Sequence, residues 1–76
     1  MEIRVRYFAS LRERVGRAEE ALDVPAGTTA GEVWRQATGQ PLPANVLVAV
    51  NMEYTGPERE VRAGDEVAFF PPVTGG

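Results

Sequence analysis

The 76-residue chain carries a formal net charge of −3, with 43% hydrophobic and 25% charged residues. This composition predicts one small cytoplasmic domain with a single core, and the chain has neither the apolar run of a membrane span nor the start of a signal peptide. The acidic balance excludes a general nucleic-acid binder, because contacts to phosphates require a clustered excess of Lys and Arg.

The first predicted elements are a strand and a short helix. Side chains alternate with the period of a strand that has one buried face, with Ile3, Val5 and Tyr7 on the inner face and Arg4, Arg6 and Phe8 on the outer one. Leu11 and Val15 lie four residues apart, the spacing at which two side chains share one side of a helix. We expect Ser10 to cap this helix and Gly16 to end it.

A second strand is predicted over residues 20–24, followed by the main helix. Residues 29–32, Thr-Ala-Gly-Glu, match the capping box that begins a helix. The helix then has a single apolar stripe, formed by Ala30, Val33, Trp34 and Ala37. We expect Trp34 to anchor the core and Gly39 to end the helix.

Two more strands are predicted in the second half, over residues 46–51 and 66–70, separated by a polar segment with two turns. One main helix packed on one face of a mixed sheet makes an α+β fold. Neighbours on a strand point to opposite faces, so if Phe69 faces the helix, Phe70 lies on the uncovered face. Pairing of the first and last strands would place Phe8 beside Phe70 in an exposed apolar patch, a feature typical of partner sites.

The residue types that are missing restrict the chemistry. The chain has no Cys and no His, and all eight basic residues are Arg. Thiolate, imidazole and Schiff-base catalysis, zinc sites and disulfides therefore have no side chain to use. The adjacent carboxylates Glu19-Glu20 and Asp65-Glu66 point to opposite faces of a strand and cannot share a proton or a metal ion. We expect no metal site and no active site within the chain alone.

The last eight residues, Phe69-Phe70-Pro71-Pro72-Val73-Thr74-Gly75-Gly76, change from an apolar strand to two prolines and then two glycines. Glycine has no Cβ, so this end can thread a narrow channel and present its carboxylate for reaction. The prolines favour an extended conformation, which reduces the entropy lost on insertion. We predict a domain over residues 1–70 and an extended tail over 71–76. The alternative is a frayed end without a role.

These residues together make the chain resemble the small subunits of molybdopterin synthase, within the ubiquitin-like β-grasp sulfur carriers. Residues 64–76 carry the most specific part of the resemblance, supported by Ala49-Val50-Asn51 and by Phe8-Ala9. Carriers of the thiamine pathway keep the two glycines but usually not the Phe-Phe-Pro-Pro-Val approach. Residues 37–46, where family members vary in length, are the weakest match. The resemblance implies a β-grasp fold over nearly the whole chain.

The resemblance also implies a sulfur-transfer cycle. An adenylating, E1-like enzyme uses ATP to activate the Gly76 carboxylate, and sulfur from a sulfur-donating protein converts it to a thiocarboxylate. The tail then enters the large catalytic subunit, where the sulfur passes to cyclic pyranopterin monophosphate in molybdenum cofactor biosynthesis. The resemblance assigns insertion to the tail residues Pro71, Pro72, Val73, Thr74 and Gly75, and contact with the large subunit to Phe8, Tyr54 and Phe70.

The carrier itself is then not an enzyme and binds no cofactor, since the partner consumes the ATP. Three other interpretations stay open. In the first, the sulfur acceptor belongs to thiamine synthesis or tRNA thiolation. In the second, the activated end is conjugated to lysines of other proteins, as in a ubiquitin-like modifier. In the last interpretation the chain is an interaction domain whose tail has no function.

Overall fold

The computed structural model describes residues 1–72, which form five strands and two helices. In chain order these are β1 (Glu2–Tyr7), α1 (Ser10–Val15), β2 (Glu19–Asp23), α2 (Ala30–Thr38), β3 (Leu47–Val50), β4 (Glu53–Thr55) and β5 (Glu66–Phe70). The strands make one mixed sheet in the order β2-β1-β5-β3-β4, in which only the β1–β5 pair is parallel. The predicted α+β, β-grasp architecture is confirmed.

The core lies between α2 and one face of the sheet, and Trp34 is at its centre. Trp34 is 2% exposed, and its ring meets Phe69 of β5 edge-on at 5.0 Å and Tyr7 of β1 at 6.1 Å between centroids. The predicted inner faces of β1 and β5 both pack into this cluster. Trp34 is therefore the core anchor that the apolar stripe of the helix predicts.

The ends of α2 also agree with the sequence. The Glu32 backbone N–H donates to Thr29 Oγ1 at 3.3 Å, and the Thr29 backbone N–H donates to Glu32 Oε1 at 2.9 Å. Both halves of the predicted capping box are thus present. At the other end Gly39 adopts a φ of 76°, and its N–H donates to the Arg35 carbonyl at 2.8 Å. Glycine takes up this left-handed conformation without steric strain, which is why the helix ends there.

Two predictions about local structure are wrong. Ser10 is the first residue of α1 rather than its cap; Ala9 holds the cap position with a φ of 52° and no side-chain hydrogen bond. Alanine has no side-chain acceptor to mark this position in the sequence. The strand predicted over residues 46–51 ends at Val50, and the chain turns back to form β4. This edge strand was missed because it has only three residues, two of them exposed.

Neither helix within residues 1–72 has the length and apolar character needed to span a bilayer. β5 ends at Phe70, the residue that precedes the two prolines. Proline has no backbone N–H and cannot continue a strand ladder, which accounts for the end of the strand there. The division into a domain over 1–70 and a tail over 71–76 stays a prediction.

Candidate functional site

The face of the sheet opposite α2 is open among residues 1–72, and small side chains lie at its centre. The strand register places Ala68 of β5 between Arg6 of β1 and Ala49 of β3, and Ala49 opposite Tyr54 of β4. The two alanines leave a shallow concavity of about 230 Å³. Larger side chains surround it: Arg6, Phe8, Met52, Tyr54, Glu66 and Phe70. This face can therefore accept a complementary surface from another protein.

Three aromatic residues on this open face, Phe8, Tyr54 and Phe70, form what we call the aromatic patch. The rings of Phe8 and Phe70 are nearly parallel, with an interplanar angle of 7° and 4.6 Å between centroids. Tyr54 lies 5.8 Å from Phe70 and is 71% exposed. The structure thus brings together the three residues that the resemblance assigns to a partner contact.

Backbone pairing sets the position of this patch. The Phe8 N–H donates to the Phe69 carbonyl at 3.1 Å, which extends the parallel β1–β5 ladder one residue beyond β1. Phe70 in turn lies opposite Leu47 of β3. Phe8 and Phe70 therefore stack because strands from the two ends of the sequence are adjacent, as the alternation of side chains on each strand predicts.

Charged side chains border the patch on the β1 side. The Arg6 guanidinium lies 5.0 Å from the centroid of the Phe8 ring. Arg6 also forms long ion pairs with Glu19 at 3.8 Å and Glu66 at 3.9 Å. All three side chains are partly exposed, so these pairs add little to stability. Their arrangement resembles the polar rim that surrounds the apolar centre of a protein interface.

The predicted reactive tail starts beside the aromatic patch. Pro71 is half-buried and Pro72 is exposed, while Val73, Thr74, Gly75 and Gly76 lie outside the described residues. Covalent geometry limits the reach of the six residues after Phe70 to about 20 Å even when they are fully extended. A protein that binds the Gly76 carboxylate must therefore approach the patch closely.

A partly exposed hydrogen-bond cluster at the edge of the core involves Tyr7, Glu20 and Arg17. The Tyr7 hydroxyl donates to Glu20 Oε2 at 2.7 Å, and Arg17 Nε donates to the same oxygen at 2.9 Å. Burial, followed by the hydrogen bond to Glu20, raises the pKa of Tyr7 above its ordinary value. Arg17 Nη2 also donates to the Ala37 carbonyl at 2.9 Å. The cluster ties the segment after α1 to the end of α2, a structural role on the side away from the patch.

The most exposed residue of the open face, Met52, was not among the predicted contact residues. It lies in the turn between β3 and β4, borders the same concavity as the aromatic patch and is 89% exposed. The signal was obscured because Asn51 was assigned to the preceding strand. Asn is common at the first position of a two-residue hairpin turn. The sequence signal for such a turn is strong when Gly follows the Asn, and here Met follows it.

The described residues contain no group of three or more carboxylates placed to hold a metal ion.

Comparisons with known proteins identify relatives along the whole chain. The model of the ThiS family matches residues 5–76. The molybdopterin synthase sulfur carrier subunit of Escherichia coli (strain K12) is 38% identical over 82 residues, covering 97% of this chain and 99% of its own.

Solved structures share the fold. SAMP1 of Haloferax volcanii, a small archaeal modifier protein, has a TM-score of 0.82 and 28% identity, with full coverage of both chains. A chain in the complex of subunits 1 and 2 of the molybdopterin-converting factor of Helicobacter pylori 26695 has a TM-score of 0.67 over the full length of both chains. At 17% identity, this second likeness concerns the fold alone.

Proposed function

The chain belongs to the ThiS family of ubiquitin-like sulfur carriers, and we propose that it is the sulfur carrier subunit of a molybdopterin synthase. The observation that carries the proposal is the position of the aromatic patch directly beside the start of the Pro71–Gly76 segment. The tail is long enough to enter a partner that is bound to the patch. The full-length similarity to the Escherichia coli subunit supports the same assignment.

The proposed reaction takes place at the Gly76 carboxylate. A carboxylate is a poor electrophile, so an adenylating enzyme first joins it to AMP from ATP and releases pyrophosphate. Sulfide delivered by a sulfur-donating protein then attacks the acyl carbon; the C–S bond forms as the C–O bond to AMP breaks, which leaves a thiocarboxylate and free AMP. Since the chain contains no Cys, the carried sulfur must be on this end group. Transfer to cyclic pyranopterin monophosphate in the large subunit would regenerate the carboxylate.

In this proposal the tail residues place the Gly76 carboxylate in the active sites of the partners, and the partners supply the catalytic groups. Pro71 and Pro72 keep the approach extended, Val73 and Thr74 continue it, and Gly75 gives the reacting end the clearance that a Cβ would remove. ATP binding and acid–base catalysis belong to the activating enzyme and the large subunit. The carrier then needs no bound cofactor of its own.

The direct test is intact-mass spectrometry of the protein after incubation with its host's adenylating enzyme, ATP and a sulfur source. We expect a mass gain equal to one exchange of oxygen for sulfur, localised to Gly76. Incubation of the loaded carrier with the large subunit and the pterin precursor should return the original mass and form molybdopterin. An unchanged mass with an adenylating enzyme shown to be active would contradict the proposal.

A second candidate function is conjugation to other proteins. The similarity to SAMP1 over both full chains favours it, because the same activated acyl group reacts with an amine as well as with sulfur. Covalent adducts on lysines of host proteins would support a modifier. Loaded carrier that transfers sulfur to a thiamine precursor or a tRNA base, but not to the pterin precursor, would instead identify another thiolation pathway.

We expect Phe70→Ala to weaken binding of the large subunit by more than about 1 kcal/mol, as is typical of a central aromatic anchor. Phe70 contacts both other members of the aromatic patch, so its removal also leaves Phe8 without its stacking partner. Isothermal titration calorimetry with the large subunit measures the effect. Arg35→Ala, an exposed change on α2, is the control and should bind as the wild type does. Unchanged affinity of Phe70→Ala would remove Phe70 from the interface.

A further inference from the structure

The hairpin between β3 and β4 turns on two residues, Asn51 and Met52. Val50 pairs with Glu53, so the loop is as short as a hairpin allows. The φ angles of Asn51 and Met52 are 50° and 70°. Two consecutive positive φ angles are the mark of a type I′ turn, whose second position favours Gly because a Cβ there is strained. Met52 occupies that position and so keeps a strain that glycine would remove.

Burial within the described fold does not offset this strain. Met52 is 89% exposed, more than Tyr54 at 71% or Leu47 at 38%, the other large apolar side chains that are exposed among residues 1–72. An apolar side chain held away from the core in a strained turn is the kind of feature that concentrates at binding sites. Met is also well suited to contact, because its unbranched side chain adapts to irregular pockets.

The turn that carries Met52 is fixed to β5 by its neighbour. Asn51 Nδ2 donates to Asp65 Oδ1 at 3.0 Å, and Asn51 Oδ1 accepts from the Glu66 N–H at 3.0 Å. The Asn51 N–H donates to the Glu66 carbonyl at 2.8 Å, and Asp65 Oδ2 accepts from the Arg62 N–H at 2.8 Å. Met52 therefore has a backbone position that is set relative to the strand leading to the tail.

The charge of Asp65 keeps these contacts in place at neutral pH. Burial raises the pKa of the Asp65 carboxyl, but the hydrogen bonds from Asn51 and from the Arg62 N–H, together with the charges of Arg59 and Arg62, hold the pKa below its ordinary value. Asp65 thus stays ionised and continues to accept both hydrogen bonds.

Met52 borders the concavity that the aromatic patch also lines. The strand register places the turn at the Glu66 end of β5, whereas the tail leaves from the Phe70 end. The concavity joins the two ends of the open face, because the aromatic patch and Met52 both line it. A partner surface that covers the patch and fills this concavity therefore meets Met52 at its other side.

We propose that Met52 is a further docking residue, an apolar side chain that enters an apolar pocket on the large subunit at the end of the open face away from the tail. The inference rests on the proposed function and extends its interface to the β3–β4 turn. In this inference the strained backbone conformation at Met52 serves to present the side chain to the partner. Binding energy and folding stability should then respond in opposite directions when the side chain is removed.

The test is calorimetric titration of the large subunit with the full-length chain and three variants. Met52→Gly and Met52→Gln should each weaken binding at least tenfold, because both remove the apolar contact. Met52→Leu keeps an apolar side chain and should stay within about threefold of the wild type. Met52→Gly should melt at or above the wild-type temperature, since glycine takes the positive φ without strain.

A purely structural role for Met52 predicts a different pattern, in which the change that preserves stability also preserves affinity. Wild-type affinity of both Met52→Gly and Met52→Gln would overturn the docking proposal alone and leave the sulfur-carrier proposal intact. Failure of the wild-type chain to bind the large subunit would overturn both. If Met52→Gly fails to fold, Met52→Gln still decides, because it keeps the length of the side chain and changes its polarity.

Discussion

Deletion of Gly75 and Gly76 is expected to abolish sulfur loading completely while leaving the fold intact. The deletion moves the terminal carboxylate to Thr74, whose Cβ occupies the space that the proposed channel leaves for glycine. The core cluster of the described residues runs from Ile3 to Phe69, and neither Pro71 nor Pro72 belongs to it. Intact-mass spectrometry after activation measures loading, and thermal melting followed by circular dichroism measures the fold. We expect no mass gain and an unchanged melting temperature.

The single change Gly76→Ala separates clearance from length. It keeps the number of residues and a terminal carboxylate but adds one methyl group at the reacting carbon's neighbour. We expect loading to slow by about 10²-fold, the effect of displacing a reacting group by roughly 1 Å. Loading of the deletion variant at the wild-type rate would show that the two glycines are not the reactive end, and function would then have to be sought in the open face alone.

The sequence predicts the open face well because strand alternation determines which way a side chain points. Val67 and Phe69 are buried, so Phe70 must point to the other face, and the same argument applies to Phe8 after Tyr7. What alternation leaves undetermined is which strands are neighbours. The parallel pairing of β1 with β5 joins the two halves of the aromatic patch, and it depends on contacts across the whole chain.

The errors occur where short-range signals are weak or misleading. β4 has three residues, and Tyr54 on it is exposed, so no apolar period marks it. Its position follows from the turn at Asn51 and Met52, and Met in place of Gly conceals that turn. The cap of α1 gave a similar error, because Ser10 is a good cap residue by type but the chain places Ala9 there.

The residue types in the sequence predict the chemistry of the proposed site but not its geometry. The absence of Cys, His and Lys excludes most catalysis before any fold is known, and the two glycines indicate where reaction can occur. Neither observation locates a partner. The patch beside Pro71 supplies a location, and the strain at Met52, which depends on a backbone angle, is visible only in three dimensions.

Trp34→Ala is expected to lower the free energy of unfolding by about 3–5 kcal/mol, the usual cost of truncating a large buried aromatic residue. A domain of this length has a total stability of roughly 4–11 kcal/mol, so the loss removes a large part of it. Trp34 contacts Tyr7 and Phe69 edge-on and is the only tryptophan. Denaturant unfolding should therefore be followed by circular dichroism rather than by tryptophan fluorescence.

The Trp34→Phe variant separates the contribution of the aromatic ring to the free energy of unfolding from that of the indole N–H. Trp34 Nε1 is buried without a hydrogen-bond partner among residues 1–72, and an unpaired buried donor is itself destabilising by about 1–3 kcal/mol. Phenylalanine keeps a ring against Phe69 and removes that donor, so we expect less than half the loss seen for alanine. Equal losses for the two variants would mean that the indole fills its site in a way no smaller ring can. A loss below about 1 kcal/mol for Trp34→Ala would contradict its place at the centre of the core, and the stability of the sheet would then have to come from strand pairing and the apolar faces of β1 and β5.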